Sequence, residues 1–390
     1  MKHQALCLLL PFFLLGTAVA EPFRFIEDND KKQLSISEGL LPVLTYVYDV
    51  IEHENIPQRD PRRFAGCYVH PLHGIFGEIL TDNAPADHFH HRGVFWTWPH
   101  VGIHEPDGSV TRHDLWHGNT NLKQHFVRWI DRAISDNTAM FEVENGWFVG
   151  DPQDGNKIMT ERVKITVHRQ QFMACTANRS VDFEFLWQPT DKPITLRGSG
   201  GTSYGGFTVR FRPFVPEADR SRNILARRSE INRITVPSGI VEGDLTETRL
   251  PWAGYTSNFP RVASGGIVTL DGEPVEGAVV MFTPHDQPSG AVIFIPRTHP
   301  DFPPTWLTRY YGPLCVGWPG VEGRTFQPGE EIRLRYRIWI HDGAVTVPQI
   351  ERAYEEYKGA FSKKGRDCSC LFDWIFAESL FSCTFQSSNW

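Results

Sequence analysis

Apolar side chains recur at every second position through much of this chain, and Gly, Pro, Asp and Asn interrupt them every few residues. The clearest run covers residues 332–340. There Ile332, Leu334, Tyr336, Ile338 and Ile340 share one face of a strand, with Arg333, Arg335, Arg337 and Trp339 on the other. Three arginines on one face read as solvated surface. Residues 162–168 and 181–187 alternate in the same way, and residues 41–50 are apolar, β-branched or aromatic at nearly every step. Two apolar runs, 277–282 and 291–296, flank a turn-forming segment at 285–290. Helical spacing shows in one place: Pro348 stands near a helix start, Ile350, Ala353, Tyr354 and Tyr357 share a face, and Gly359 offers a stop. The pattern predicts an all-β protein, a large antiparallel β-sandwich with one C-terminal helix.

Composition narrows the picture. With 33 glycines and 28 prolines but 13% aromatic residues, the chain is rich in turns and still able to bury a core. Its net charge of −7, with both signs interspersed, gives no reason to expect nucleic acid or an anionic membrane as partner. Lys2 and His3 precede an apolar run at 5–15, and Ala18-Val19-Ala20 supplies the small residues of a cleavage site. Residues 1–20 therefore read as a secretory signal peptide, which predicts a secreted or periplasmic protein. The run is too short to span a bilayer, so no integral membrane segment is expected. Residues 21–361 read as one sandwich domain and 362–390 as an appended tail carrying Cys368, Cys370 and Cys383. Nothing near those cysteines completes a zinc site.

The candidate chemistry lies between His70 and His125, where ten of the sixteen histidines fall. Imidazole suits proton transfer, metal ligation and sugar-hydroxyl recognition near neutral pH. At the centre is Asp87-His88-Phe89-His90-His91-Arg92-Gly93. Read as a strand, it puts His88 and His90 on one face and Phe89 and His91 on the other. His88 and His90 are then the pair that could hold a divalent metal, although no carboxylate follows in the stretch 93–96. Without one, no metal or other cofactor is expected. Trp96 and Trp98, and Asp114 with Trp116, present indoles and a carboxylate at alternate positions; indole faces stack on sugar rings. Tyr204-Gly205-Gly206-Phe207 precedes a strand at 208–211. A second polar-aromatic cluster contains His299, Trp306 and Arg309.

On these blocks the chain resembles the PmoA-like family, secreted bacterial proteins filed as "methane oxygenase PmoA". The likeness covers roughly residues 70–357 and also includes His299-Pro300, the stretch 306–312 and the closing Pro328-Gly329-Glu330. It implies a galactose-mutarotase-like supersandwich and a role tied to carbohydrate. Aldose epimerases place a catalytic Glu ahead of that closing Pro-Gly-Glu. Here Thr308-Arg309-Tyr310-Tyr311-Gly312-Pro313 supplies no carboxylate, so mutarotase chemistry is not implied.

The expected function is a carbohydrate-active enzyme (lyase, hydrolase or isomerase) using histidines as general acid and base on a small saccharide or oxidised sugar. His88 or His91 is the proton carrier, and Asp114 orients it or carries a second proton. Arg92 and Arg309 grip a carbonyl or carboxylate, Tyr204 and His299 reach the same cleft, and Trp96, Trp116 and Trp306 form its walls. The alternatives are a non-catalytic carbohydrate-binding protein and a metal-dependent oxidoreductase.

Overall fold

Long antiparallel strands, each with one apolar face, form two large sheets that close over a common core. The computed structural model describes residues 22–173, 176–214, 231–260, 269–270, 273–274 and 288–362. Residues 1–20, the run at 277–282 and the tail beyond Ser362 lie outside the described residues. Among the described residues, nine strands form the first sheet, in the order Phe23–Asp28, Gln33–Glu38, Leu41–Val47, Tyr68–Leu72, Val94–Thr97, Gly206–Arg210, Pro313–Gly317, Thr305–Thr308 and Leu245–Arg249. The second is ten-stranded and runs from Leu122–Ile134 through Thr138–Val149, Lys157–His168, Thr176–Pro189 and Ile332–Asp342 to Gly239–Val241. A four-stranded sheet that includes His100–His104 and Val110–His113 adjoins them.

The inner faces meet as stacked aromatics. Trp96 of the first sheet packs on Phe185 of the second at 4.8 Å, and Phe207 stacks on Tyr336 at 4.5 Å. The chain is an all-β sandwich, and its core extends continuously from Phe23 to Ile340. The alternation at 332–340 fixes its strand as expected: Leu334 and Tyr336 are buried, Arg333 and Arg335 exposed. Arg337 departs from that solvated face. It is half-buried, with Nε 2.6 Å from Asp182 and the Tyr357 ring over its guanidinium at 4.8 Å.

That ring belongs to the helix Val347–Ser362, which covers the outer face of the second sheet. Ile350, Ala353, Tyr354 and Tyr357 bury against Trp252, Phe294 and Trp339 in a second, smaller core. Gln349 caps the start by accepting from the Thr346 N–H at 2.8 Å. The helix runs through Gly359 rather than stopping there, since glycine weakens a helix without breaking it. No helix among the described residues is long and apolar enough to cross a membrane.

Candidate functional site

Period-two geometry decides which side chains reach the site. Along Val94–Thr97, Val94 and Trp96 point into the sandwich core, whereas Phe95 and Thr97 point outward. Tyr68, Leu307 and Cys315 emerge on the same outer face, and with Phe95 and Trp116 they form a third apolar cluster. Tyr68, Phe95 and Trp116 of this cluster line a cleft on the outside of the first sheet.

Two consecutive turns build one wall. The His88 N–H donates to the Pro85 carbonyl at 2.9 Å, and the His91 N–H donates to the His88 carbonyl at 3.0 Å. Residues 88–91 are therefore not a strand, and the expected separation of His88 from His91 onto opposite faces is overturned. Their rings stack in parallel at 4.7 Å, and Tyr311 stacks on the other side of His88 at 4.9 Å. His90 stands edge-on to both, 5.5 Å from His88 and 4.5 Å from His91. Gly93 ends the segment at φ +35°, where a Cβ would lie 2.0 Å from the Val69 carbonyl oxygen; only glycine fits.

Arg210 supports the stack from behind. Its Nη2 donates to both oxygens of Asp87 at 3.0 and 3.2 Å, its guanidinium lies over the Tyr311 ring, and Nη1 approaches His91 Nδ1 at 3.5 Å. Since an arginine can only donate, His91 Nδ1 is the acceptor and its ring is neutral. Burial, then the charges of neighbouring groups, holds His91 well below the ordinary histidine range. The same causes push His90 down to about 2. Burial opposes ionisation of Asp87, but His88, at 3.0 Å, and Arg210 outweigh it and hold the carboxyl at about 2.

The opposite wall is an Asx turn. Asp114 Oδ1 accepts the His117 N–H at 2.8 Å, while Oδ2 accepts from His117 Nδ1 at 2.6 Å. One carboxylate thus fixes both the backbone and the ring of His117. That ring lies 4.7 Å from His90, and both line the cleft. Trp116 packs at 5.0 Å on Tyr204, held at the end of its loop by Gly205 and Gly206.

Residues 33–355, which include every residue of this site, match a family described as a family of unknown function, DUF6807. The chain belongs to that family. No curated protein matches it closely enough to lend it an activity.

For this DUF6807 chain the site is therefore read from geometry alone. His88, His91 and Trp116 pack around His90, Asp114 and Tyr204 approach it through His117 and Trp116, and Arg92 binds the turn that carries it. Four other candidates do not join them. Trp96 and Trp306 are fully buried on the inner side of the first sheet, so neither forms a wall. His299 lies between the sheets beside Tyr336 and Trp318, with its Nδ1 accepting from the Asp301 N–H. Arg309 flanks Tyr311 in sequence, yet its guanidinium is taken by the Leu245 and Thr308 carbonyls and by Asp244 at 3.6 Å. Arg92 lines the cleft while donating to the carbonyls of Phe89, His91 and Arg62, so it is first a clamp on the turn. Among the described residues, no three His, Cys, Asp or Glu side chains are grouped to hold a metal ion, and His88 and His90 gain no further ligand.

Sequence reasoning gave no role to His117, Asp87, Arg210 or Tyr311. The Asp114-x-x-His117 spacing of an Asx turn was the available signal for the first. For Arg210 there was none, because it reaches Asp87 across 123 residues.

Proposed function

We infer that the protein is a secreted or periplasmic carbohydrate-active enzyme in which His117 takes a proton from a saccharide held in this cleft. The observation that carries this reading is the 2.6 Å contact between Asp114 and His117 at the cleft wall. A carboxylate that accepts the Nδ1–H leaves Nε2 as the proton acceptor and stabilises the imidazolium that forms. His90 is kept neutral by burial and lies within one ring's reach of His117, so it can meet a second hydroxyl or relay the proton. His88 and His91 stand one layer further back: His91 is 3% exposed, and neither ring lines the cleft.

Two features support a saccharide. Phe64, 43% exposed, and Trp116, backed by Tyr204, put two aromatic rings in the cleft lining. The resemblance to the PmoA-like family points the same way, and the signal-peptide pattern at 1–20 supports export.

The test is turnover by the purified protein on a panel of native and oxidised mono- and disaccharides. His117→Ala and Asp114→Asn should each lower kcat by about 10² or more, with melting temperature almost unchanged because His117 is partly exposed. Asp114→Asn should also alter the pH–rate profile, since an amide cannot stabilise the imidazolium. Full turnover in both variants would remove His117 and Asp114 from the reaction, whereas saccharide binding without turnover by the wild-type protein would leave a non-catalytic binding protein.

A further inference from the structure

The charged side chains that line the cleft are cationic, with the Asp114 carboxylate one layer behind His117. Its lining includes Arg62, Arg92 and Lys123 but neither an aspartate nor a glutamate. These three cations are not equally free. Arg62 is already neutralised, with Nε 2.8 and 3.1 Å from the two oxygens of Asp60. Lys123 has no carboxylate within ion-pair distance among the described residues, and its Nζ meets the Phe64 carbonyl at 3.1 Å. An ammonium has three N–H donors, so two remain.

Arg92 is the more telling case. It is 5% exposed, and three of its N–H donors go to carbonyls: those of Phe89, of His91 at 3.0 Å and of Arg62 at 2.6 Å. Its Nε has no partner among the described residues, and no carboxylate lies within ion-pair distance of the guanidinium. A buried cation held only by neutral acceptors is costly, and an arriving anion offsets that cost. Burial, with a smaller push from the neighbouring Arg62 charge, brings Arg92 down to about 10.

We propose that the cleft selects a saccharide bearing a carboxylate, that is a sugar acid, and that Arg92 and Lys123 receive that carboxylate beside His117. This rests on the reading of the cleft as a saccharide site and adds the substrate class. A carboxylate in the cleft would set its oxygens against the Lys123 ammonium and the uncompensated Arg92 charge together. The three residues come from separate segments, the turn at 88–92, the Asx turn at 114–117 and the start of the strand Leu122–Ile134. The cations are thus built around one cleft rather than scattered over a surface.

Titration calorimetry on the full-length protein tests this with three probes: D-glucuronate, D-glucose and D-glucose 6-phosphate. Glucuronate should bind at least about tenfold more tightly than glucose, the ratio that one charge-assisted contact supports. Raising the salt should weaken glucuronate alone. Lys123→Gln should cut the preference several-fold and flatten its salt dependence, with Arg92 supplying what remains, and an unchanged preference in that variant overturns the role of Lys123. Equal affinity for acid and neutral sugar overturns the proposal but leaves the saccharide reading intact. So does tighter binding of the phosphate than of glucuronate. Absence of binding by all three sugars overturns both.

Discussion

Glu161 is a fully buried carboxylate that no cation among the described residues pairs with. Its Oε2 accepts from Gln124 at 2.9 Å, Trp147 at 2.9 Å and Trp187 at 2.7 Å, and Oε1 accepts from Asn145 at 2.9 Å. Four neutral donors drawn from three different strands make this group a tie across the second sheet, and Gln124 carries the tie to the cleft lining. Glu161→Ala orphans all four donors and opens a cavity, so it should cost at least about 3 kcal/mol. Glu161→Gln should cost less, because Asn145 can turn its unpaired Oδ1 toward the new amide. Denaturant unfolding checks the order: wild type above Gln, and Gln above Ala. The sequence carries half of this story. Glu161 falls at an inward position between Met159 and Val163, which marks it as an exception in an apolar stripe. Its donors arrive from strands 14 to 37 residues away, beyond what local pattern can indicate.

At the scale of elements, long strands and the helix were legible because each has one apolar face of a single period. Residues 159–168 and 332–338 alternate between buried and more exposed positions, which fixes their register. The segment 85–93 misled because seven residues of mixed imidazole, phenyl and charge fit an alternating template as well as a turn. Its flanks, Pro85 and Gly93, were the better guide. The helix end shows the same limit. Gly359 reads as a stop, yet helical hydrogen bonding and the burial of Tyr354 and Tyr357 carry the helix to Ser362. A Cβ at Gly359 would meet nothing within 4 Å, and its backbone is helical. Gly359→Ala should therefore stabilise the protein, by up to about 1 kcal/mol. A lower melting temperature in that variant would show that this turn is not helical in solution.

The whole molecule decides what no single strand can: which face of a sheet becomes core and which becomes site. Trp96 and Phe95 are equally plausible walls in the sequence. Pairing and the second sheet put the indole inside against Phe185 and the phenyl outside against Trp116. Histidine density was informative for the same reason in reverse, since His88, His90, His91 and His117 converge while others of the ten are absorbed by the fold. His70, for example, meets Thr81 at 3.0 Å, and His104 meets Thr195 at 2.7 Å.

That absorption has a consequence for the whole fold. Burial pushes His53 down to about 3 and His73, His299 and His341 down to about 4, and all four are 7% exposed or less. In the unfolded chain each titrates near 6.5. Between that value and the folded one, the unfolded state binds protons that the folded state refuses, so stability falls as pH falls. Each such histidine contributes up to ~1.4 kcal/mol per pH unit in this window, and nothing above about pH 7. The melting temperature should accordingly be level from pH 7 to 8 and drop steeply from pH 6 to 4. Asp49, Asp60 and Asp87, each held at about 2, extend the loss below pH 4. His73→Gln keeps a neutral polar side chain beside the Gly77 carbonyl and cannot take up a proton in either state, so it should flatten the slope between pH 6 and 4. A melting temperature at pH 5 equal to that at pH 7 would mean that these imidazoles are charged or open to water in the native protein, contrary to the packing that encloses them.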